Sequence, residues 1–450
     1  MIPNKNIFCN APWFELHIYW DGSLGFCCAE HHRIYADSEK NIYNIKNMSI
    51  TEWMNSAPMR KVRMDMFGDK ELSICHRCQL EQSTKGTSRR HRSNAKSAIF
   101  TKQNFNESFE QSPHAESFQQ SFENNGYLNT YPIDMHIDLG NHCNLACKMC
   151  NPLASSKIAA QYQKWGIELS HSKNDMKNDT DKILIDWTRN ETVWNKICTE
   201  IATFKNLNNV HFMGGEPMLA KRFVEFCDFM IQRDKTNFGL SFVTNGTIIN
   251  YDLLDRLKKF KGRVGIEISI ETCTNHNDYI RQGTDTAEVL KNIDIIKTIC
   301  KENDWDITIR PAVSILSVGN YHTLLQYCLD NELLIKSLYA DFPTYMNIRN
   351  LPKDIAHQYV KVYEKFMKDN DLENIQHQLD YNESDRHEYK KIVKKDVDTV
   401  VTILKSERFK EAEDNLKELV NWCKRWDPLY ELDAKSLYPE FKEIFEKYDY

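Results

Sequence analysis

Asp138-Leu139-Gly140-Asn141-His142-Cys143-Asn144-Leu145-Ala146-Cys147-Lys148-Met149-Cys150 carries three thiols on one short stretch, spaced C-x3-C-x2-C. The residues before it, 133–139, read as a strand, so the cysteines fall on the loop that follows. Three thiolates at this spacing can converge on one iron–sulfur cluster, which ordinarily takes four cysteine ligands. With no fourth cysteine nearby, one iron stays open, and an open metal position is where a substrate or cosubstrate binds. The competing use is a structural zinc with His142 as fourth ligand. A histidine immediately before the first cysteine is poorly placed to point at the same ion.

Outward from this loop, strands and helices alternate. Strands are expected at 133–139, 210–213, 239–244, 264–270, 307–315 and 338–346. Between them, helices are expected at 154–165, 218–230, 251–260, 286–300 and 321–329. Such alternation predicts an α/β fold with a parallel sheet, and six strands predict a partial (β/α)6 TIM-like barrel over 131–350. Residues 351–450 read as Lys/Glu-rich amphipathic helices packed on that core.

Residues 1–84 read as a small α+β module. Phe14, Leu16, Ile18 and Trp20 alternate with polar or amphipathic residues, and Asp21-Gly22 signals a two-residue hairpin. A helix is expected near 49–57 behind Ser49. Residues 85–130 are rich in Ser, Gln, Asn, Lys and Arg, and read as a linker, in part helical or mobile. Its basic stretch 88–96 reads as a solvated face.

Composition bounds the function. The chain has 450 residues, 41% hydrophobic and 27% charged, with a formal net charge of -6. That balance argues against a nucleic acid partner. No apolar run reaches the length of a membrane span, so no membrane partner is expected. The opening MIPNKNIFCNAPWF lacks the pattern of an export leader, which predicts a cytoplasmic protein. The 14 cysteines are then available for metal rather than disulfides. Cys198, Cys227, Cys300, Cys328 and Cys423 are scattered singly and read as small core residues.

The cysteine loop after a first barrel strand resembles the signature of the radical S-adenosylmethionine (radical SAM) superfamily, over roughly 131–350. The resemblance implies a [4Fe–4S] cluster on Cys143, Cys147 and Cys150, with S-adenosylmethionine on the open iron. It further implies reductive cleavage to a 5′-deoxyadenosyl radical, which takes a hydrogen atom from a substrate. Met149 stands where the family often has an aromatic residue near the adenine, and its thioether can make the same contact. Gly214-Gly215-Glu216-Pro217 is similar to the segment that receives the methionine amino group. Thr244-Asn245 with Gly246 resembles a segment near the cosubstrate. Ser269 and Arg281 resemble the pair that holds the methionine carboxylate, a task suited to a planar guanidinium. Ser314 is a candidate ribose contact. Each of these, taken alone, would read as an ordinary polar residue at a barrel rim.

Cys9, Cys27, Cys75 and Cys78 resemble the auxiliary-cluster ligands of SPASM or twitch extensions, with Gly22 five residues before Cys27. This implies an auxiliary iron–sulfur cluster of [4Fe–4S] type. Cys28 competes with Cys27 as ligand, and zinc competes with the cluster. The resemblance also implies an electron donor such as flavodoxin or ferredoxin, and a peptide substrate of the ribosomally made class. A small-molecule dehydrogenation or rearrangement is the alternative, and a non-enzymatic iron–sulfur or zinc protein the third reading. Cys273 is a candidate hydrogen donor for an epimerisation, with Glu271 beside it, although a small packing residue is the plainer reading of Cys273.

Overall fold

The computed structural model describes residues 2–28, 42–85, 88–99, 104–167, 183–375 and 389–450. Among the described residues run twelve strands: β1 Glu15–Ile18, β2 Leu24–Gly25, β3 Asp134–Asp138, β4 Ala146–Cys147, β5 Asn209–Met213, β6 Gly239–Thr244, β7 Val264–Ile268, β8 Arg281–Gln282, β9 Asp306–Ile309, β10 Ala312–Val313, β11 Leu334–Ile335 and β12 Leu338–Tyr339. The chain divides into two compact units. The first comprises Met1–Asn144, Pro152–Val243 and Asn250–Gly265; the second comprises Leu145–Asn151, Thr244–Ile249 and Ile266–Tyr450.

In the first unit, β1 pairs antiparallel with β2 and parallel with β3. Next come β5 on β3 and β6 on β5, both parallel. The Leu240 N–H donates to the Arg263 carbonyl at 2.9 Å, at the entry to β7. Gly22 turns the β1–β2 hairpin with a positive φ of 85°, which glycine adopts without penalty. Apolar β-residues such as Phe212 and Phe242 face the helix Lys221–Gln232 through Phe223, with ring centroids 4.3 and 5.3 Å away.

In the second unit, the Ser269 N–H donates to the Thr244 carbonyl at the end of β6, and the Arg310 N–H to the Ile268 carbonyl at the end of β7. There β11 lies parallel on β9. The sequence of neighbours β3, β5, β6, β7, β9, β11 is that of a partial (β/α)6 TIM-like barrel, and the chain is α/β. Helices Lys353–Asp369, Tyr389–Lys405 and Ala412–Tyr430 follow.

Three readings differ from the structure. The strand expected at 307–315 is split into β9 and β10 around Pro311, which has no N–H for a ladder. The sheet's last strand is β11 rather than 338–346; β12 pairs instead with β10. The stretch 85–130, expected as a linker with 88–96 a solvated face, is instead packed, its helices Arg89–Lys96, Phe105–Glu110 and Ala115–Glu123 burying Arg90, Phe105, Phe109 and Phe118. Phe109 and Phe118 from these helices pack edge-on against Phe8, at 5.1 and 5.3 Å between centroids.

Candidate active site

The N-terminal part of the cysteine loop belongs to the first unit. Cys143 is half-buried, and its N–H donates to the Ser156 hydroxyl at 3.3 Å. Against this stretch lies the Gly214-Gly215 turn. Both glycines have positive φ, 83° and 57°. A Cβ on Gly214 would stand 2.6 Å from the Gly140 carbonyl oxygen, and one on Gly215 2.1 Å from that of His142. Only glycine permits this approach. The Glu216 N–H completes it by donating to the His142 carbonyl at 2.8 Å. The buried Glu216 carboxylate accepts from the Met218 N–H at 2.9 Å, capping the short turn Pro217–Leu219.

The C-terminal part belongs to the second unit. There β4 pairs antiparallel with β8, placing Cys147 opposite Arg281. Arg281 Nη1 lies 3.7 Å from Cys147 Sγ. Its Nη2 donates to Glu271 Oε1 at 2.7 Å and its Nε to Glu271 Oε2, so the guanidinium is already engaged by a carboxylate of its own chain. Burial opposes the arginine's charge, but Glu271 and Cys147 more than offset it and raise its pKa. Burial also pushes the Cys150 thiol up, with the Asn151 backbone and Arg281 working against it. Lys148, between these cysteines, is buried. Its Nζ lies 3.6 Å from Asp427 and 4.0 Å from the Tyr279 ring centroid. The helix Ala412–Tyr430 thereby holds the loop from one side.

Other expected site residues in this unit are placed as follows. Thr244 is buried and its hydroxyl accepts from the Gly246 N–H, while Asn245 accepts from the Thr247 N–H. Met149 and Ser269 are half-buried. Ser314 is fully buried, its hydroxyl 3.5 Å from that of Ser317. The Cys273 N–H donates to the Thr323 hydroxyl on helix Tyr321–Asp330. Burial pushes the Cys273 thiol up to about 12.

The N-terminal module brings Cys9, Cys27, Cys75 and Cys78 around one cavity in the first unit. Cys28 is exposed and does not line it. Burial, together with Cys75 and Cys78, pushes the Cys9 thiol up. Such a thiol ionises only with a cation at hand, which bound iron supplies. Among the described residues, no three His, Cys, Asp or Glu side chains converge closely enough to hold a single metal ion. What fits a cluster is the donor chemistry: four thiols border one space, and the arginines that line it keep unpartnered buried Nε groups.

Two features escaped the sequence reading. Arg89 and Arg90 line the four-thiol cavity from the segment read as a linker. Secondly, His17, His136 and His211 stand in register on β1, β3 and β5, with ring centroids 5.7 and 5.0 Å apart. His17 Nε2 lies 3.3 Å from Asp138, and His211 Nδ1 lies 2.8 Å from the Ser241 hydroxyl. Each histidine is flanked by apolar residues, and only the strand register shows that the three share a face.

Residues 137–309 match the radical SAM superfamily, and residues 9–79 match an iron–sulfur cluster-binding domain, SPASM. These matches support [4Fe–4S] clusters and S-adenosylmethionine as cofactors. No curated protein matches. Among solved structures, native anSMEcpe with bound AdoMet is 16% identical, with a TM-score of 0.38 over 54% of this chain and 62% of that one. Streptococcus suis SuiB bound to S-adenosylmethionine is 13% identical, with a TM-score of 0.33 over 60% and 51%. SuiB bound to its precursor peptide SuiA is 14% identical, with a TM-score of 0.34 over 60% and 52%. The chain thus spans less than two thirds of the length of these relatives. Among the described residues, no helix is long and apolar enough to cross a membrane.

Proposed function

We propose that this chain, which carries a radical SAM domain and a SPASM iron–sulfur domain, is a radical enzyme that abstracts a hydrogen atom from a peptide substrate. With its cofactors bound, one electron cleaves the sulfonium of S-adenosylmethionine and supplies a 5′-deoxyadenosyl radical. Cys143, Cys147 and Cys150 would hold the first cluster, and Cys9, Cys27, Cys75 and Cys78 the second.

The observation that carries the reading is the wedge of Gly214-Gly215 against the backbone that leads into Cys143. A Cβ at either glycine would strike that backbone. The turn fixes where the first thiol of the loop starts and exposes backbone at the strand end, where barrel sites form. Glu216, Thr244, Asn245, Ser269 and Met149 are the candidate cosubstrate contacts. Arg281 joins them chiefly through Nη1, since Glu271 engages its Nε and Nη2. The Ser314 hydroxyl is turned to that of Ser317, which favours a packing role for it, and Cys273 is anchored by its backbone N–H on Thr323.

A peptide substrate is favoured by the family resemblance and by the auxiliary site, which would accept the electron left when a substrate radical collapses to product. A flavodoxin or ferredoxin would supply the first electron, in the cytoplasm. The test is deuterium transfer into 5′-deoxyadenosine from labelled candidate peptides and from labelled small metabolites. Label from a peptide supports the reading. Label from metabolites alone makes the enzyme a small-molecule dehydrogenase or mutase.

A further inference from the structure

The four-thiol cavity holds more than thiols. Arg89 lines it beside Cys27, from the first turn of helix Arg89–Lys96. One end of its guanidinium is fixed, because Nη2 donates to Glu15 Oε2. Glu15 is itself buried and accepts from the Ser93 hydroxyl. The Arg89 Nε–H is buried and has no hydrogen-bond partner among the described residues. A buried N–H without an acceptor is costly and calls for an explanation. Arg90, the cavity's other arginine, has its Nη1 bound to the Asn6 carbonyl. The Arg90 Nε is unpartnered as well; Arg89 is singled out because it is tied to the buried Glu15 and its guanidinium interacts with Cys27.

We infer that Arg89 is the charge-compensating residue of the auxiliary cluster, with Glu15 as the residue that positions it. A [4Fe–4S] cluster on four thiolates is doubly negative when oxidised and gains a further negative charge on taking one electron. A fixed guanidinium in a buried site stabilises the reduced form more than the oxidised one, and hydrogen bonds and charge near the sulfurs set such potentials. Arg89 thus raises the reduction potential and makes the site an electron acceptor. The inference rests on the cluster reading of Cys9, Cys27, Cys75 and Cys78.

The experiment is a potentiometric titration followed by electron paramagnetic resonance. It uses the full chain with Cys143, Cys147 and Cys150 changed to Ala, so that only the auxiliary signal remains. Arg89→Gln is expected to lower the equilibrium constant for reduction about tenfold, which is about 59 mV for one electron. Glu15→Gln leaves the arginine uncompensated and should shift the potential the opposite way, while Arg89→Lys stays close to the parent. If Arg89→Gln loses its cluster, the other two variants decide. An upward shift in Glu15→Gln with little change in Arg89→Lys supports the role, and an unmoved potential in Glu15→Gln overturns it. Zinc in place of iron in the parent protein overturns the cluster reading itself. An intact cluster whose potential ignores both residues overturns only the role of Arg89.

Discussion

Arg281 meets Glu271 along the edge of its guanidinium, Nη2 to Oε1 at 2.7 Å with Nε on Oε2, and leaves Nη1 3.7 Å from the Cys147 sulfur. Glu271 is wholly buried and Arg281 nearly so. The arginine is thus tied to the cluster loop through one donor and to the chain's own carboxylate through two. Removing one member strands a buried charge, which costs about 3–5 kcal/mol. Arg281→Met should therefore lower the melting temperature sharply, and adding Glu271→Gln should recover part of the loss. Equal, additive losses in a double-mutant cycle would show that the pair is not coupled.

Gly215 and Gly166 give a contrast in one unit. Both have positive φ, 57° and 67°, but a Cβ on Gly166 meets nothing within 4 Å among the described residues. Gly166→Ala should cost about 1–2 kcal/mol from left-handed strain alone. Gly215→Ala adds a backbone collision and should cost about 2–5 kcal/mol, with loss of iron from the cysteine loop. Similar denaturation midpoints for the two variants would remove the wedge from the account.

Lys148 and Asp427 are an unequal pair. Asp427 keeps donors from the Tyr279 hydroxyl and the Ala434 N–H when the lysine is gone. Among the described residues Lys148 has no hydrogen-bond acceptor of its own, and it sits over Tyr279. Asp427→Ala should thus destabilise more than Lys148→Met, by about 3–5 kcal/mol against a smaller loss. The order of the two melting temperatures checks this, and the reverse order would contradict it.

His136 supplies a pH dependence. Burial, then the neighbouring His211, Arg89 and His17, hold its imidazole well below the ordinary value of 6.5. Between that lowered value and 6.5 the unfolded chain binds a proton that the folded chain does not. Stability is therefore expected to fall as pH drops below 6.5. Urea midpoints measured at pH about 7.5 and about 5.5 should converge less in the parent than in His136→Gln. Parallel pH profiles would show that His136 takes up its proton in the folded state.

Much of the sheet could be read from the chain because its strands are apolar, several residues long and bounded by turn residues. The strand expected at 239–244 is β6, Gly239–Thr244, residue for residue. The failures have physical causes. Leu334-Ile335 is too short to show a period, so β11 was passed over for the longer apolar run after it. In 85–130, Phe105, Phe109 and Phe118 sit among Ser, Gln and Asn, and average composition hid a helical spacing that buries all three. The four auxiliary cysteines are what the family resemblance implies, and all four line one cavity. Arg89 was not legible, because its place depends on a helix folding back over that cavity. Arg281 was read as free for a ligand, since its carboxylate partner Glu271 is ten residues away and only the fold brings them together.

The most direct test of the central claim is cosubstrate cleavage by oxygen-free, iron-reconstituted protein given dithionite and S-adenosylmethionine. The account predicts 5′-deoxyadenosine from the parent protein and none from the Cys143→Ala, Cys147→Ala, Cys150→Ala variant, which still retains auxiliary iron. Intact clusters in the parent with no 5′-deoxyadenosine, or equal yields from parent and variant, would contradict it.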